Sequence, residues 1–244
     1  LSPSSFFTTL FSFKSILFAA PLCFVCSVIL TTASTGLKRF QEKNIQIDKH
    51  RNILISVGLL EKSRQYAADK IESLFNESIK ALWVDPSGRL IDESQRDKSD
   101  FPLYVYLKEG EIEAYIVPFN SRGLWGKIYG YLAIENDGST ISGFTVYKHS
   151  ETPGLGGEIE KAWFQKNWVG KKIVDRSGEF VSVSIAKGAV QDVIQPDKRP
   201  HYVDGISGAT LTGKYLTAGL KEILEDYEPV SIQFRKNLIT APPG

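Results

Sequence analysis

The stretch "DGISGAT", residues 204–210, places a threonine among small residues at the point where a helical pattern begins. Gly205, Gly208 and Ala209 leave the hydroxyl of Thr210 open to a bulky partner. The free N–H groups and the dipole of a helix N-terminus favour an anion. These residues therefore allow a phosphate on Thr210. A plain turn, with Ser207 or Thr210 as the helix N-cap, is the alternative, and residue types alone favour it.

A second cluster, "HSETPGLGGE" at residues 149–158, is rich in glycine. Gly154, Gly156 and Gly157 permit backbone angles that let the main chain approach a flat ligand closely. A flexible connection into the next helix explains them equally well. His149 has no spaced His or carboxylate partner, so no metal site is predicted.

Several other functions are excluded by residue type. Gly208–Lys214 satisfies G-x-x-x-x-G-K, but Tyr215 stands where a nucleotide-binding loop needs Ser or Thr for Mg²⁺. The hydrolase pattern G-x-S-x-G fails at Ala209, so no catalytic residue is predicted. A net charge of +1 gives no positive potential for nucleic acid, which we exclude as a partner.

The elements that position these clusters follow from the hydropathy pattern. Residues 15–37 lack charge and are long enough for a transmembrane helix after an N-terminal tail of residues 1–14. A cleaved signal peptide is the alternative, with "TTASTG" as its cleavage region. Residues 38–82 are predicted as a helical neck and residues 83–244 as the main domain.

The main domain has the order of an α+β fold. Aromatic and β-branched runs predict antiparallel strands: "PLYVYL", "EIEAYIVPF", "GKIYGYLAIE" and "TISGFTVYK". Asp137-Gly138 predicts a hairpin between the last two. "EIEKAWFQKNWVG" predicts a helix ended by Gly170, "FVSVSIA" predicts a strand, and "LTGKYLTAGLKEILEDYE" predicts an amphipathic helix.

The two clusters together carry a family resemblance. "DGISGAT" resembles the flavinylation motif D-x-x-[ST]-G-A-T, and "ETPGLGGE" resembles the companion loop in the FMN-binding domain of the C subunit of the Na⁺-translocating NADH:quinone reductase. The likeness extends to "GLWGKIYGYLAI" and "WVGKK". It implies that a flavin transferase esterifies Thr210 to the phosphate of FMN. Asp204, Gly205, Ser207, Gly208 and Ala209 would complete the motif, and Glu151, Thr152, Gly154, Leu155 and Gly156 would line the isoalloxazine.

The resemblance implies a covalently flavinylated electron-transfer subunit in a Na⁺-translocating NADH:quinone oxidoreductase, with other subunits and membrane lipid as partners. It would be a single-pass protein of the bacterial inner membrane, with its FMN domain in the periplasm. Lysine and arginine after the apolar span predict the opposite, cytoplasmic side; we follow the resemblance. The alternatives are the G subunit of an Rnf electron-transport complex, suggested by His149-Ser150, and a non-redox membrane-anchored binding domain.

Overall fold

The computed structural model describes residues 13–239 of the chain, with side chains from residue 15. The tail predicted at residues 1–14 lies outside the described side chains. The chain divides into two compact units, Leu1–Gln46 and Ile47–Gly244. The main domain therefore includes much of the segment that the sequence pattern predicts as a neck.

Helix α1 runs from Phe13 to Ser56. Its apolar part is exposed from residue 15 onward and, by length and composition, is able to cross a membrane. Ser27 and Thr32 donate their hydroxyls to the carbonyls of Cys23 and Val28, one turn earlier, at 2.7 and 2.8 Å. These two hydroxyls in the apolar stretch are thus satisfied within the helix.

The main domain is built on one antiparallel sheet of six strands. The strands are β1 (Ile79–Val84), β2 (Leu90–Ile91), β3 (Phe101–Lys108), β4 (Glu111–Arg122), β5 (Lys127–Glu135) and β6 (Ile141–Lys148). Their order across the sheet is β2-β1-β3-β4-β5-β6. The hairpin predicted at Asp137-Gly138 joins β5 to β6, and Gly138 takes the positive φ of 62° that the turn requires.

Helices cover both faces of this sheet. Helix α2 (Ala68–Ser78) and the end of α1 pack on one face through Ile53, Leu54 and Phe75. The long C-terminal helix α5 (Thr210–Arg235) packs on the other face through Leu216, Leu220 and Leu224. Burial on both faces explains why the middle of β4, residues 114–119, and that of β5, residues 128–134, carry no charged residue and are continuously apolar or aromatic apart from Gly130. The fold is α+β, as predicted.

Between β6 and α5 the chain forms short elements. They are a 3₁₀ turn (Gly156–Glu160), α3 (Ala162–Lys166), β7 (Ser184–Ile185), α4 (Val190–Val193), a second 3₁₀ turn (Arg199–His201) and β8 (Tyr202–Val203). A further 3₁₀ turn spans Glu93–Gln95. Strands β7 and β8 pair in parallel, and β8 leads directly into the "DGISGAT" stretch.

Three segments differ from the sequence-based expectation. The segment predicted as a neck, residues 38–82, contains the end of α1, a connection, α2 and the first residues of β1. The helix expected at residues 158–170 is interrupted at Lys161, whose ψ of 144° is extended. The strand expected at residues 180–186 is reduced to Ser184–Ile185, because Ser182 has a left-handed φ of 64° that breaks the alternation.

Candidate functional site

Helix α5 begins at Thr210 without a side-chain cap. The N-cap residue is Ala209, and no side chain of the described residues hydrogen-bonds there. The alternative with Ser207 or Thr210 as N-cap is therefore wrong. The N–H groups of the first turn have no partner within the helix, so this end of α5 can receive a negatively charged group.

The two threonines of this first turn differ in exposure. Thr210 lies on the surface, whereas Thr212 is only 2% exposed. Because of this difference, the hydroxyl of Thr210 is open to a reagent and that of Thr212 is shielded.

A buried carboxylate joins the glycine-rich loop to α5. Glu151 is 4% exposed, and its Oε2 accepts a hydrogen bond of 2.5 Å from Thr212 Oγ1. Its Oε1 accepts a bond of 2.9 Å from the backbone N–H of Trp125. A buried charge is tolerated only when its oxygens are bonded in this way. The structure thus brings together the two clusters that the sequence separates.

Glycines make room for this carboxylate. A Cβ on Gly123 would lie 2.5 Å from Glu151 Oε1, and one on Gly156 would lie 2.5 Å from Thr212 Oγ1 and 2.7 Å from Glu151 Oε2. These distances are shorter than any van der Waals contact. Gly156 is therefore needed for the bond between Glu151 and Thr212, and this explains one of the glycines in the loop.

Apolar side chains flank the same place. Leu155 is 44% exposed and packs on Gly208, whose φ of 73° requires glycine and whose Cβ would lie 2.7 Å from Leu155 Cδ2. Trp125, next to Glu151 through its backbone, is 69% exposed. Gly154 also has a positive φ, 75°, and open space around it. A flat apolar group can approach the loop here.

Other residues of the two motifs shape the backbone. Asp204 Oδ1 accepts a bond of 2.7 Å from the N–H of Val190, and the N–H of Gly205 donates to the carbonyl of Gly188. The carbonyl of Thr152 accepts bonds from the N–H groups of Leu155 and Gly157. Asp204, Gly205 and Thr152 therefore hold the two loops in place through these bonds. Ser207 lies on the surface.

His149 supports the loop from the other side. Its Nδ1 accepts a bond of 3.1 Å from the N–H of Glu151, so in the neutral ring the proton is on Nε2, which lies 3.2 Å from Glu160 Oε2. His149 and Glu160 are 11 residues apart in the chain, so the fold and not a short sequence spacing brings their side chains together.

Sequence reasoning missed Thr212, Gly123 and the backbone of Trp125. For Thr212 the sequence offered one signal. It lies two residues after Thr210, and this spacing directs the two side chains to different faces of the helix. Arg122, at the end of β4, places its guanidinium 5.1 Å from the ring centre of Tyr215 on α5. This contact brings a positive charge to the second turn of the helix.

The site combines an exposed hydroxyl at an uncapped helix start with a glycine-rich loop that has apolar flanks. These features are found together in a known class of domain. A family model described as "FMN-binding domain" matches residues 123–225, which contain both clusters.

Relatives that match about four fifths of the chain identify its family more closely than the domain does. The C subunit of the Na(+)-translocating NADH-quinone reductase of Yersinia pestis is 37% identical over 82% of this chain and 83% of that protein. Its counterpart in Neisseria meningitidis serogroup A is 38% identical over 78% of this chain and 81% of its own length. The chain belongs to the family of C subunits of the Na(+)-translocating NADH-quinone reductase, an oxidoreductase complex.

Solved structures agree with this assignment. The crystal structure of the C subunit from Parabacteroides distasonis superposes with a TM-score of 0.67 at 33% identity and covers 80% of this chain and 96% of that one. NqrC of Shewanella oneidensis gives a TM-score of 0.59 at 25% identity, covering 78% of this chain and 95% of that one.

Proposed function

We propose that this chain is an electron-carrying subunit whose FMN is joined covalently to Thr210. The observation that carries the proposal is the bond between Glu151 and Thr212. It holds the glycine loop against α5, buries the second threonine and leaves the first one exposed at the helix start.

The described residues fit the parts of FMN. The uncapped N–H groups of α5 suit a phosphate on Thr210. Leu155, Gly154 and the exposed ring of Trp125 suit an apolar, planar isoalloxazine. Glu151 and Gly156 position the loop beneath it. Ser207 and Gly208 are exposed beside Thr210 and form the surface that the transferase recognises, while Asp204, Gly205 and the buried Ala209 hold the backbone of the motif in place.

Attachment is the formation of one phosphoester. The oxygen of Thr210 forms a bond to the flavin phosphorus and its hydroxyl loses a proton, while the leaving group of the activated flavin donor departs. In this proposal a separate flavin transferase performs this step.

The bound flavin supplies reversible oxidation and reduction, which amino-acid side chains cannot supply at this site. A carrier that never dissociates is held at a constant distance from neighbouring redox centres. We therefore assign the chain a place between redox centres of a Na⁺-translocating NADH:quinone oxidoreductase, on the path of electrons toward quinone.

The apolar part of α1, residues 15–37, anchors the subunit in the bacterial inner membrane in this proposal, in contact with lipid and neighbouring subunits. Residues 83–244 contain the flavin domain, on the periplasmic side. Alkaline phosphatase fused to the C-terminus is expected to be active in the cell; an inactive fusion of normal abundance contradicts this orientation.

In-gel ultraviolet fluorescence of the denatured chain tests the attachment. The chain is expressed in a host with a flavin transferase as wild type, Thr210→Ala, Thr210→Ser and Thr212→Val. Fluorescence should persist in wild type and Thr210→Ser, vanish in Thr210→Ala and remain detectable in Thr212→Val. A fluorescent Thr210→Ala band, or a dark wild type beside a labelled known acceptor, overturns the proposal.

A further inference from the structure

One imidazole ring contacts both ends of the loop that follows β6, residues 150–160. At the start of the loop, Nδ1 of His149 accepts a hydrogen bond of 3.1 Å from the N–H of Glu151. At its end, Nε2 of the same ring lies 3.2 Å from Oε2 of Glu160, the last residue of the 3₁₀ turn. The side chain of His149 is only 14% exposed. The ring therefore connects the two ends of the loop from a largely buried position.

The backbone bonds at the tip of this loop shape its turn. Residues 152–155 are exposed. The N–H groups of Leu155 and Gly157 both donate to the carbonyl of Thr152, at 3.1 and 2.9 Å. Because the donors and the acceptor all lie within the loop, these bonds do not fix the loop to the rest of the domain. Its start is joined to the rest of the domain through Glu151.

Glu151 connects the ring of His149 to the proposed flavin site. Its carboxylate is buried and accepts hydrogen bonds from Thr212 Oγ1 and from the N–H of Trp125. Its backbone N–H is the group that donates to His149. The ring thus holds the backbone from which this carboxylate reaches the first turn of α5, and it acts on the site through Glu151.

Only one protonation state of His149 can make both contacts. In the neutral ring with its proton on Nε2, Nδ1 accepts from the N–H of Glu151 and Nε2–H donates to Glu160. A protonated ring carries a hydrogen on each nitrogen, so that its Nδ1–H would face the N–H of Glu151, one donor against another. Protonation therefore breaks the bond at the start of the loop, whereas it adds a charge to the contact with Glu160.

Charged groups on the neighbouring segments surround this choice of protonation state. The loop and its 3₁₀ turn contribute carboxylates, and the flanking segments contribute lysines: Glu151, Glu158, Glu160, Lys62, Lys148 and Lys161. An adjacent carboxylate stabilises an imidazolium and lysines oppose it. Oε2 of Glu160 is the carboxylate oxygen bonded to this ring, while its Oε1 lies 3.6 Å from Nζ of Lys161. Protonation would therefore leave the end of the loop paired while it releases the start.

We propose that His149 is a positioning residue for the flavin. In its neutral form it holds the start of the loop, and with it Glu151, against α5; protonation of the ring releases this hold. The flavin is therefore held less firmly as the pH falls through the range in which an imidazole takes up a proton. The effect on the flavin rests on the proposed attachment to Thr210, whereas the bond between His149 and Glu151 belongs to the polypeptide itself.

Amide hydrogen exchange at Glu151 tests the proposal. The full chain in lipid nanodiscs is compared at pH 7.5 and pH 5.5, which lie about one unit above and below the ordinary pKa of an imidazole. Protection is expressed relative to the intrinsic exchange rate at each pH. Protection at Glu151 should fall at least about fivefold at the lower pH, which corresponds to the loss of one hydrogen bond. Unchanged protection overturns the proposal.

Two substitutions at residue 149 separate protonation of the ring from other effects of pH. Asparagine accepts a bond from the N–H two residues later and does not titrate, so His149→Asn should keep protection at Glu151 within about twofold at both pH values. His149→Ala removes the acceptor and should leave this amide poorly protected at both. If His149→Ala does not fold, wild type and His149→Asn carry the test. A fall in His149→Asn equal to that in wild type contradicts the proposal.

Emission anisotropy of the attached flavin tests the positioning role. It should fall between the two pH values in wild type, because a released loop no longer restricts the isoalloxazine, and stay constant in His149→Asn. A constant anisotropy in wild type overturns this role. Hydrogen exchange is repeated with the flavin-free variant Thr210→Ala, in which the same fall at Glu151 is expected. A wild type without flavin therefore contradicts the attachment to Thr210, while exchange still decides the bond between His149 and Glu151.

Discussion

Thr212 donates its hydroxyl to Oε2 of Glu151, a residue 61 positions earlier in the chain. The bond links the loop after β6 to the first turn of α5. Glu151 is buried, and in the part of the chain that the structure describes no lysine or arginine forms an ion pair with it. The carboxylate therefore depends on its two hydrogen bonds.

Replacing Glu151 should separate the role of these bonds from the role of the charge. Glu151→Ala leaves the N–H of Trp125 and the hydroxyl of Thr212 unpaired and should lower the free energy of unfolding by about 2–4 kcal/mol. Glu151→Gln keeps an acceptor for Trp125 and a donor for Thr212, and should cost less than about 1 kcal/mol. Urea unfolding measures both. Equal losses in the two variants would contradict this account.

Gly156→Ala should destabilise the site by crowding it. The new Cβ would meet Thr212 Oγ1 and Glu151 Oε2, and we expect a loss of about 1–3 kcal/mol together with reduced flavin loading. Gly188→Ala is the matched control, because its Cβ would lie at an ordinary 3.7 Å from Val193. Thermal unfolding and in-gel flavin fluorescence compare the two. Gly188→Ala behaving like Gly156→Ala would show that contact distance is not the cause.

The hydroxyl of Tyr115 on β4 and Oγ of Ser231 on α5 lie 2.7 Å apart in the core. Tyr115→Phe and Ser231→Ala should each cost about 1 kcal/mol. The double variant should cost less than their sum, because both lose the same bond. Urea unfolding of the four proteins measures the coupling. Strict additivity would mean that the bond does not help hold α5 on the sheet.

The domain should become less stable as the pH falls below about 6.5. His50 stacks on Phe75 with ring centres 3.7 Å apart, and burial lowers the pKa of its imidazole, an effect that Glu72 opposes and Lys49 strengthens. Since the folded state binds the proton less tightly than the unfolded state, protonation favours unfolding. This loss is absent above the unfolded pKa and develops as the pH falls from there through the lower, folded pKa.

Melting temperatures of wild type and His50→Phe from pH 8 to 5 measure this effect. The curve of the variant should be flatter below pH 6.5. A variant curve parallel to that of wild type would assign the pH dependence to other groups.

Local patterns in the sequence predicted much of the fold. The alternating and aromatic runs of β3 to β6, the turn at Asp137-Gly138 and the amphipathic face of α5 depend on neighbouring residues, and each is present. The 158–170 helix and the 180–186 strand were wrong in extent. There, the conformations of Lys161 and Ser182 override local propensity.

The motifs could be recognised in the sequence: a threonine with small neighbours before a helix, a glycine-rich loop, and an uncharged span long enough to cross a membrane. They determined the family and the residue on which the proposed flavin attachment depends. Only the tertiary structure decided how the two motifs are joined. Glu151 and Thr212 meet because the fold brings the loop after β6 against the first turn of α5. A hydrogen bond between residues so far apart in the chain leaves no periodic pattern in the sequence.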